Sequence, residues 1–327
     1  MRQQPVVSIV VVNYNGIVHI EECLTALFRQ RDYPTYEVIV VDNASTDESA
    51  AYIRLHFPGA LLVTNEQNLG YSGAVNRALS RAKGRYIAVL NMDAVVEPDW
   101  LHPLVAFLEK NPQAGAVTPQ ILLYQDAARI NALGQNIHVS GLGFNRAYRR
   151  PRMIVGQAPV QVSGIHGSAF LIRREILEQM GGMNERCFMY HEDVDVSWVV
   201  RLMGYDIYCI PGSIVHHKYT LFMNPWKLYY LERNRISMLL CNLSWPTFLL
   251  ILPFLILTEL MMAVYCLRRG RRFLEAKGRS LFWNWQNRKH IYRRRSRIQR
   301  LRRCSDWQVV ANLRLNYEWD QLLALSR

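Results

Sequence analysis

Residues 86–100 read YIAVLNMDAVVEPDW, and the fold turns on how they are read. Tyr86-Ile87-Ala88-Val89-Leu90 is an apolar run entered through Lys83-Gly84-Arg85, the pattern of a strand covered on both faces in a parallel sheet. Asn91 and Asp93 then fall at its carboxyl end. In open α/β sheets ligands bind at that edge, because the loops leaving the strands form a crevice there. Asp93 therefore has two readings: a ligand-binding carboxylate, or a cap for the turn before Glu97-Pro98-Asp99-Trp100 starts a helix.

The same rhythm of apolar run, polar loop and amphipathic stretch fills the first half of the chain. VVSIVVV (6–12), YEVIVV (36–41), ALLVT (60–64) and RYIAVL (85–90) read as strands. Ile17–Gln30, Thr46–Leu55 and residues 72–83 read as the helices between them. This predicts an α/β fold with a mostly parallel, Rossmann-like central sheet and flanking helices. Residues 120–165 turn Gly-rich and irregular and read as a substrate-shaping excursion. IRREILEQMGG is a short helix stopped by Gly181-Gly182, EDVDVSWVVRLMG is a second helix, and YDIYCIP is a further strand.

With 327 residues and half of them hydrophobic, the chain can bury a sizeable core. Met1-Arg2-Gln3-Gln4-Pro5 leads straight into the first strand with no signal-peptide pattern, so the expected location is cytoplasmic. Six cysteines without C-x-x-C spacing point to reduced thiols and away from structural zinc. The net charge of +13 is uneven: Arg268–Arg303 holds fifteen Lys and Arg against the single Glu275, which leaves −1 for the remainder. Basic character thus belongs to one C-terminal segment.

Loop chemistry excludes two rivals for the α/β pattern. Asn13-Tyr14-Asn15-Gly16 follows the first strand without the G-x-G-x-x-G of a dinucleotide enzyme, and no P-loop motif occurs. The first two strand ends offer instead Asn13-Tyr14 and Asp42-Asn43. A tyrosine can stack on a base, and a carboxylate can accept the imide N–H of a pyrimidine. Thr46 to Glu48 reads as helix capping, which leaves Asp42 free for a ligand.

VSIVVVNYNG, VDNASTDES, NLGYSGAVNRAL, GRYIAVLNMDAVVEPDWL, GSAFLIRREIL and HEDVDVSWVVRLMGYDIYCIPGSIVHH follow one another in this order. In that order and spacing they resemble the family 2 glycosyltransferases of GT-A fold, and within them bacterial rhamnosyltransferase-type enzymes, over about residues 6–240. The resemblance implies inverting transfer of a sugar from a nucleoside diphosphate sugar, with Mg2+ or Mn2+ on the diphosphate. It places the nucleotide-sugar site at Asn13, Tyr14, Asp42, Asn43, Gly70 and Asn91, and the metal at Asp93 and His217. The family's D-x-D position is here Asn91-Met92-Asp93, with only the last residue acidic. By the same resemblance Asp193, within HEDVD (191–195), is the general base that takes the acceptor's proton, with Glu192 beside it. Glu192 and Asp195 have a second reading, as groups that orient Asp193 or complement a helix N-terminus. A glycosidase also needs two acids but has no use for a nucleotide grip.

Leu243–Leu267 is a stretch of 25 residues whose only charge is Glu259. It is long enough to span a bilayer. Pro246 and Pro253 divide it and basic residues flank both sides, which favours a re-entrant or interfacial helix pair over a single crossing. RKHIYRRRSRIQRLRR (288–303) then reads as a clamp for anionic headgroups rather than a nucleic-acid arm. The expected organisation is a catalytic domain over 1–240 and a membrane-associating helical segment over 241–327. The expected function is glycosyl transfer to a lipid-linked or cell-surface glycan acceptor at the cytoplasmic face of the membrane, with dTDP-rhamnose as the donor by subfamily likeness. The alternative from another class is a non-catalytic sugar-nucleotide-binding or membrane-scaffold protein of the same fold.

Overall fold

The computed structural model of the chain describes residues 4–30, 34–154 and 156–326; the first three residues of the leader reading lie outside them. The N-terminal half alternates as the sequence predicts: β1 (Val7–Asn13), α1 (Ile17–Phe28), β2 (Tyr36–Asp42), α2 (Ser49–His56), β3 (Leu61–Thr64), α3 (Gly70–Leu79) and β4 (Tyr86–Asn91). Then follow β5 (Ala94–Val96), α4 (Leu101–Lys110), β6 (Ala114–Leu123), β7 (Asp126–Ala132), β8 (Gln135–Ile137), β9 (Gly143–Asn145), β10 (Val160–Gln161) and β11 (Ala169–Arg173). α5 (Arg174–Met180), α6 (Glu192–Leu202) and β12 (Asp206–His217) complete the sheet region. The central sheet runs β10-β12-β6-β11-β4-β1-β2-β3, with β5 on β12 and β7 on β6.

The four N-terminal strands and the β6–β12 pair are parallel, but β11 runs antiparallel between β4 and β6. The sheet is therefore mixed, and the Gly-rich excursion contributes strands of its own. Continuous apolar runs are needed because both faces are covered. Val7, Ile9 and Val11 of β1 pack with α1 and α4, while Val10 and Val12 pack on the opposite face with α3 and α6.

Seven helices follow: α7 (Pro225–Asn242), α8 (Trp245–Leu250), α9 (Leu252–Arg269), α10 (Arg271–Gln286), α11 (Arg288–Leu301), α12 (Asp306–Val310) and α13 (Trp319–Ser326). The boundary expected at residue 240 falls inside α7. Met238, Leu255, Ile298 and Val309 share one buried cluster with Trp198 and Phe170 of the sheet region. The apolar stretch 243–267 forms a short helix and a longer one rather than a single span. No helix among the described residues is long and apolar enough to cross a membrane.

The basic tail departs from the headgroup-clamp expectation at three positions. Arg294 pairs with buried Asp195, and Arg295 and Arg302 donate to backbone carbonyls at the end of α7. These side chains fasten α11 to α6 and α7. Arg293, Arg297 and Arg300 stay exposed.

Candidate active site

The carboxyl ends of β1, β2, β4 and β12 and the N-terminus of α6 surround a cavity of about 600 Å³. Small-molecule sites span roughly 300–1,000 Å³. Tyr14, Asn43, Asn91 and Asp93 line it on one side, Glu192 and Asp193 on another, and His217 joins them from β12.

β12 runs farther than YDIYCIP, so the histidine pair belongs to the strand rather than to a loop after it. Antiparallel pairing with β5 sets His217 opposite Ala94, and its Nε2 lies 3.4 Å from Asp93 Oδ1. His217 Nδ1–H donates to Asn131 Oδ1 at 2.9 Å, an arrangement that turns Nε2 toward the carboxylate. Strand alternation sends His216 the other way, to Glu97 at 3.1 Å. Burial by itself would raise the Asp93 carboxyl; the His217 bond and charge, with His19, outweigh it and hold Asp93 below the usual range.

The donor set of this corner fits a divalent cation. Asn91 Oδ1 is a buried oxygen without a hydrogen-bond partner, and Asp93 Oδ1 has only the His217 Nε2 contact at 3.4 Å. No three His, Cys, Asp or Glu among the described residues converge on one point. Few protein ligands suit a hard cation that keeps waters and phosphate oxygens.

Asp193 is held from three directions. Gln135 Nε2 donates to its Oδ2 at 2.7 Å, Gly167 N–H to the same oxygen at 2.9 Å, and Val194 N–H to Oδ1 at 2.9 Å. A Cβ at Gly167 would come 3.0 Å from Asp193 Oδ2, so glycine permits this approach. Burial raises the Asp193 carboxyl against those bonds. Glu192 is raised by burial and then by the adjacent Asp193 charge, and its Oε2 has no partner.

Three residues expected in the nucleotide-sugar site do not line the cavity. Asn13 is fully buried and donates to Asp42, Ser45 and Ser49. Asp42 is not free for a ligand as expected: it is 4% exposed and accepts from Asn13 Nδ2 and from Ser45 N–H. Gly70 adopts φ +72° where the Phe188 carbonyl would meet a Cβ at 2.2 Å, so it admits a neighbouring segment. Asn43 does reach the cavity, while also bonding Asn65, Asn68 and the Leu69 N–H to fix the loop before α3. Asp195 faces away and serves as the Arg294 anchor.

Sequence reading missed Gln135, Tyr71 and the turn His166-Gly167-Ser168, all of which line the cavity. β11 is antiparallel to β4, so its amino end lies at the carboxyl edge of the sheet; Asn91 N–H donates to the Ser168 carbonyl at 2.9 Å. The turn GIHGS just before the strand AFLIR is the one local signal for it. Tyr71 Oη–H donates to the Gly167 carbonyl at 2.8 Å and braces the turn. His166, buried with Nδ1 at 2.8 Å from Ser168 Oγ, is driven down to about 3 by burial and stays neutral.

Residues 8–181 match the family described as Glycosyl transferase family 2, more than half of the chain. The chain belongs to that family. This glycosyltransferase is 29% identical over 237 residues to the N-acetylglucosaminyl-diphospho-decaprenol L-rhamnosyltransferase of Mycobacterium tuberculosis, covering 65% of this chain and 76% of that one. An uncharacterized glycosyltransferase of Haemophilus influenzae is 30% identical over 207 residues, 62% of each chain. Among solved structures, a mannosyltransferase from Pyrobaculum calidifontis in complex with GDP-Man and Mn2+ superposes with TM-score 0.55 at 23% identity, over 92% of this chain and 86% of that one. GalNAc-T7 with UDP, GalNAc and Mn2+ gives TM-score 0.60 at 19% identity over 74% of this chain and 48% of its own. At those identities the likeness is one of fold, and it is that of GT-A glycosyltransferases.

Proposed function

We propose that this glycosyltransferase carries out metal-dependent, inverting transfer of a sugar from a nucleoside diphosphate sugar to an acceptor hydroxyl on a lipid-linked or cell-surface glycan. One observation carries the reading: Asp93 with His217 and Asp193 with Glu192 line the same cavity at the carboxyl edge of the sheet. Tyr14 and Asn43 form the nucleoside end, with Asp42 and Asn13 as the buried braces that shape it. Asp93 and His217 would hold Mg2+ or Mn2+, with Asn91 nearby; the cation would compensate charge developing on the departing diphosphate. Mn2+ in the complexes of the two fold neighbours supports that choice.

Asp193 takes the proton of the acceptor hydroxyl as its oxygen attacks the anomeric carbon, while the bond from that carbon to the diphosphate breaks and the nucleoside diphosphate leaves. Gln135 and Gly167 fix the oxygen Oδ2, so that the carboxylate needs no reorganisation at that moment. dTDP-rhamnose is the donor favoured by likeness to the mycobacterial rhamnosyltransferase, whose name also gives a lipid diphosphate acceptor.

The C-terminal helices supply the acceptor's side of the reaction with a membrane-docking face. Trp245, Leu249, Leu260, Leu267 and Trp285 are more than half exposed, and Arg268, Arg269, Arg271 and Arg272 are exposed beside them. Apolar burial with basic residues worth about 1 kcal/mol each near an anionic surface suits peripheral attachment. A thermal-stabilisation screen of dTDP-, UDP- and GDP-sugars with and without Mn2+ tests the central claim. One of them should stabilise the protein only with the metal; no stabilisation by any would remove the transferase reading in favour of a scaffold.

A further inference from the structure

Three Lys or Arg side chains line the cavity: Lys218, Lys227 and Arg235. Two are already neutralised, Lys218 by Glu22 and Arg235 by Glu232 and Glu259. Among the described residues no carboxylate pairs with Lys227. Its ammonium sits instead between two rings, 4.5 Å from the centre of Phe222 and 5.1 Å from that of Tyr190. Burial pulls its pKa down, and only the two rings, with no carboxylate among the described residues, offset the cost of holding that charge.

Surroundings assign a direction to that charge. Tyr190 immediately precedes His191, Glu192 and Asp193, so one side of Lys227 adjoins the carboxylate end. Leu228 and Leu231 of α7, Met262 of α9 and Leu322 and Leu325 of α13 line the same cavity. α9 then carries Ile256, Leu260 and Leu267 outward onto the exposed apolar face. Carboxylates, one cation without a carboxylate partner and an apolar wall thus line one cavity, and α9 of that wall also carries the exposed apolar face. An amphiphile that joins a sugar hydroxyl, a phosphate and a hydrocarbon chain has the complementary groups.

Resting on the glycosyl-transfer reading, we infer that Lys227 is the receptor for a phosphate that joins the acceptor's sugar to a hydrocarbon chain, with the Leu228–Met262–Leu325 wall taking the first part of that chain. The donor's diphosphate is served at the Asp93 corner and does not need it.

Titration calorimetry with farnesyl phosphate, farnesol, inorganic phosphate and the nucleoside diphosphates UDP, dTDP and GDP with Mn2+ tests this on wild type and Lys227→Gln. Farnesyl phosphate affinity should fall about tenfold or more in the variant, because a charge-assisted bond is lost, while farnesol and nucleoside diphosphate affinities hold. Lys227→Arg should restore it. Lys227→Met preserves packing against Tyr190 and Phe222 and carries the same comparison if Lys227→Gln melts early. Equal farnesyl phosphate affinity in wild type and variant overturns the proposal, as does a loss confined to nucleoside diphosphate, which gives the lysine to the donor. Inorganic phosphate binding as well as farnesyl phosphate would remove the hydrocarbon half. Failure of every nucleoside diphosphate to bind wild type sinks the glycosyl-transfer reading instead, a result visible separately from the lipid arm.

Discussion

Buried carboxylates are treated in opposite ways in two regions of this chain. Beneath the C-terminal helices Glu232 meets Arg235 and Lys277, Asp195 meets Arg294, and Asp306 meets Arg302. Around the cavity the half-buried Asp93 and Asp193 and the buried Glu192 form no ion pair with a lysine or arginine among the described residues. Burial alone would raise Glu232, but Arg235 and Lys277 reverse this and bring it to about 2. Glu192, with no cation, is raised. An unpaired buried carboxylate is expensive, and a fold retains it where a proton or a cation has to be handled. The paired set joins helices; the set without lysine or arginine partners is the one proposed to do the chemistry.

Substitutions on the two sides should therefore fail differently. The largest loss is expected from Asp93→Ala: turnover falls to background, and Mn2+ no longer tightens nucleoside diphosphate binding. Calorimetry with and without Mn2+ checks it, and a metal effect that persists would place the cation elsewhere. Next comes Asp195→Asn, which leaves Arg294 buried without its counter-charge. Removing one partner of a buried pair costs about 3–5 kcal/mol, so the denaturation midpoint should drop while the folded fraction keeps its turnover. Asp193→Asn, the same exchange two residues earlier, should do the reverse. The amide cannot accept the acceptor's proton, so turnover falls about 10²-fold or more with donor affinity and stability retained. Matched stability losses in both variants would erase the distinction between the two regions.

That distinction was half legible in the sequence. Asp193 and Asp195 lie two positions apart on α6, about 200° around the axis, so helical geometry already separates their faces. Which face met the cavity was not visible, because Arg294 lies 99 residues away in the chain. β1, β2 and β4 were legible because strands buried on both faces must be apolar throughout, and their ends located Tyr14, Asn43 and Asp93. β11 was missed, since Ile172-Arg173 read as the start of a helix; Ala169–Arg173 instead pairs antiparallel with β4, and that direction is what brings His166-Gly167-Ser168 to the cavity. Asp42 read as a free carboxylate because the sequence does not show that Asn13 and Ser45 N–H already occupy it. The basic tail read as uniform for the same reason, although Arg294, Arg295 and Arg302 are consumed inside the fold.

The smallest effect expected within the unpaired set concerns Glu192. Two adjacent buried carboxyls resist carrying two charges, and the pair loses its protons in steps that belong to both. With Asp193 held by three hydrogen bonds and Glu192 by burial against a neighbouring charge, the first proton leaves Asp193 and Glu192 stays neutral. Glu192→Gln reproduces that neutral form, so turnover at neutral pH should remain within about tenfold of wild type, far from the loss in Asp193→Asn. The stability consequence has a definite sign. Because folding raises the Glu192 pKa, the native state binds more protons than the unfolded chain as pH rises above the ordinary carboxylate value of about 4.3, and stability declines across that window. It is fully present below the unfolded pKa and lost as pH climbs through the folded one. Melting temperatures followed from pH 5 upward should fall in wild type and fall less in Glu192→Gln. If instead Glu192→Gln loses as much turnover as Asp193→Asn and its melting curve follows wild type at every pH, the base is Glu192 and the order of ionisation is reversed.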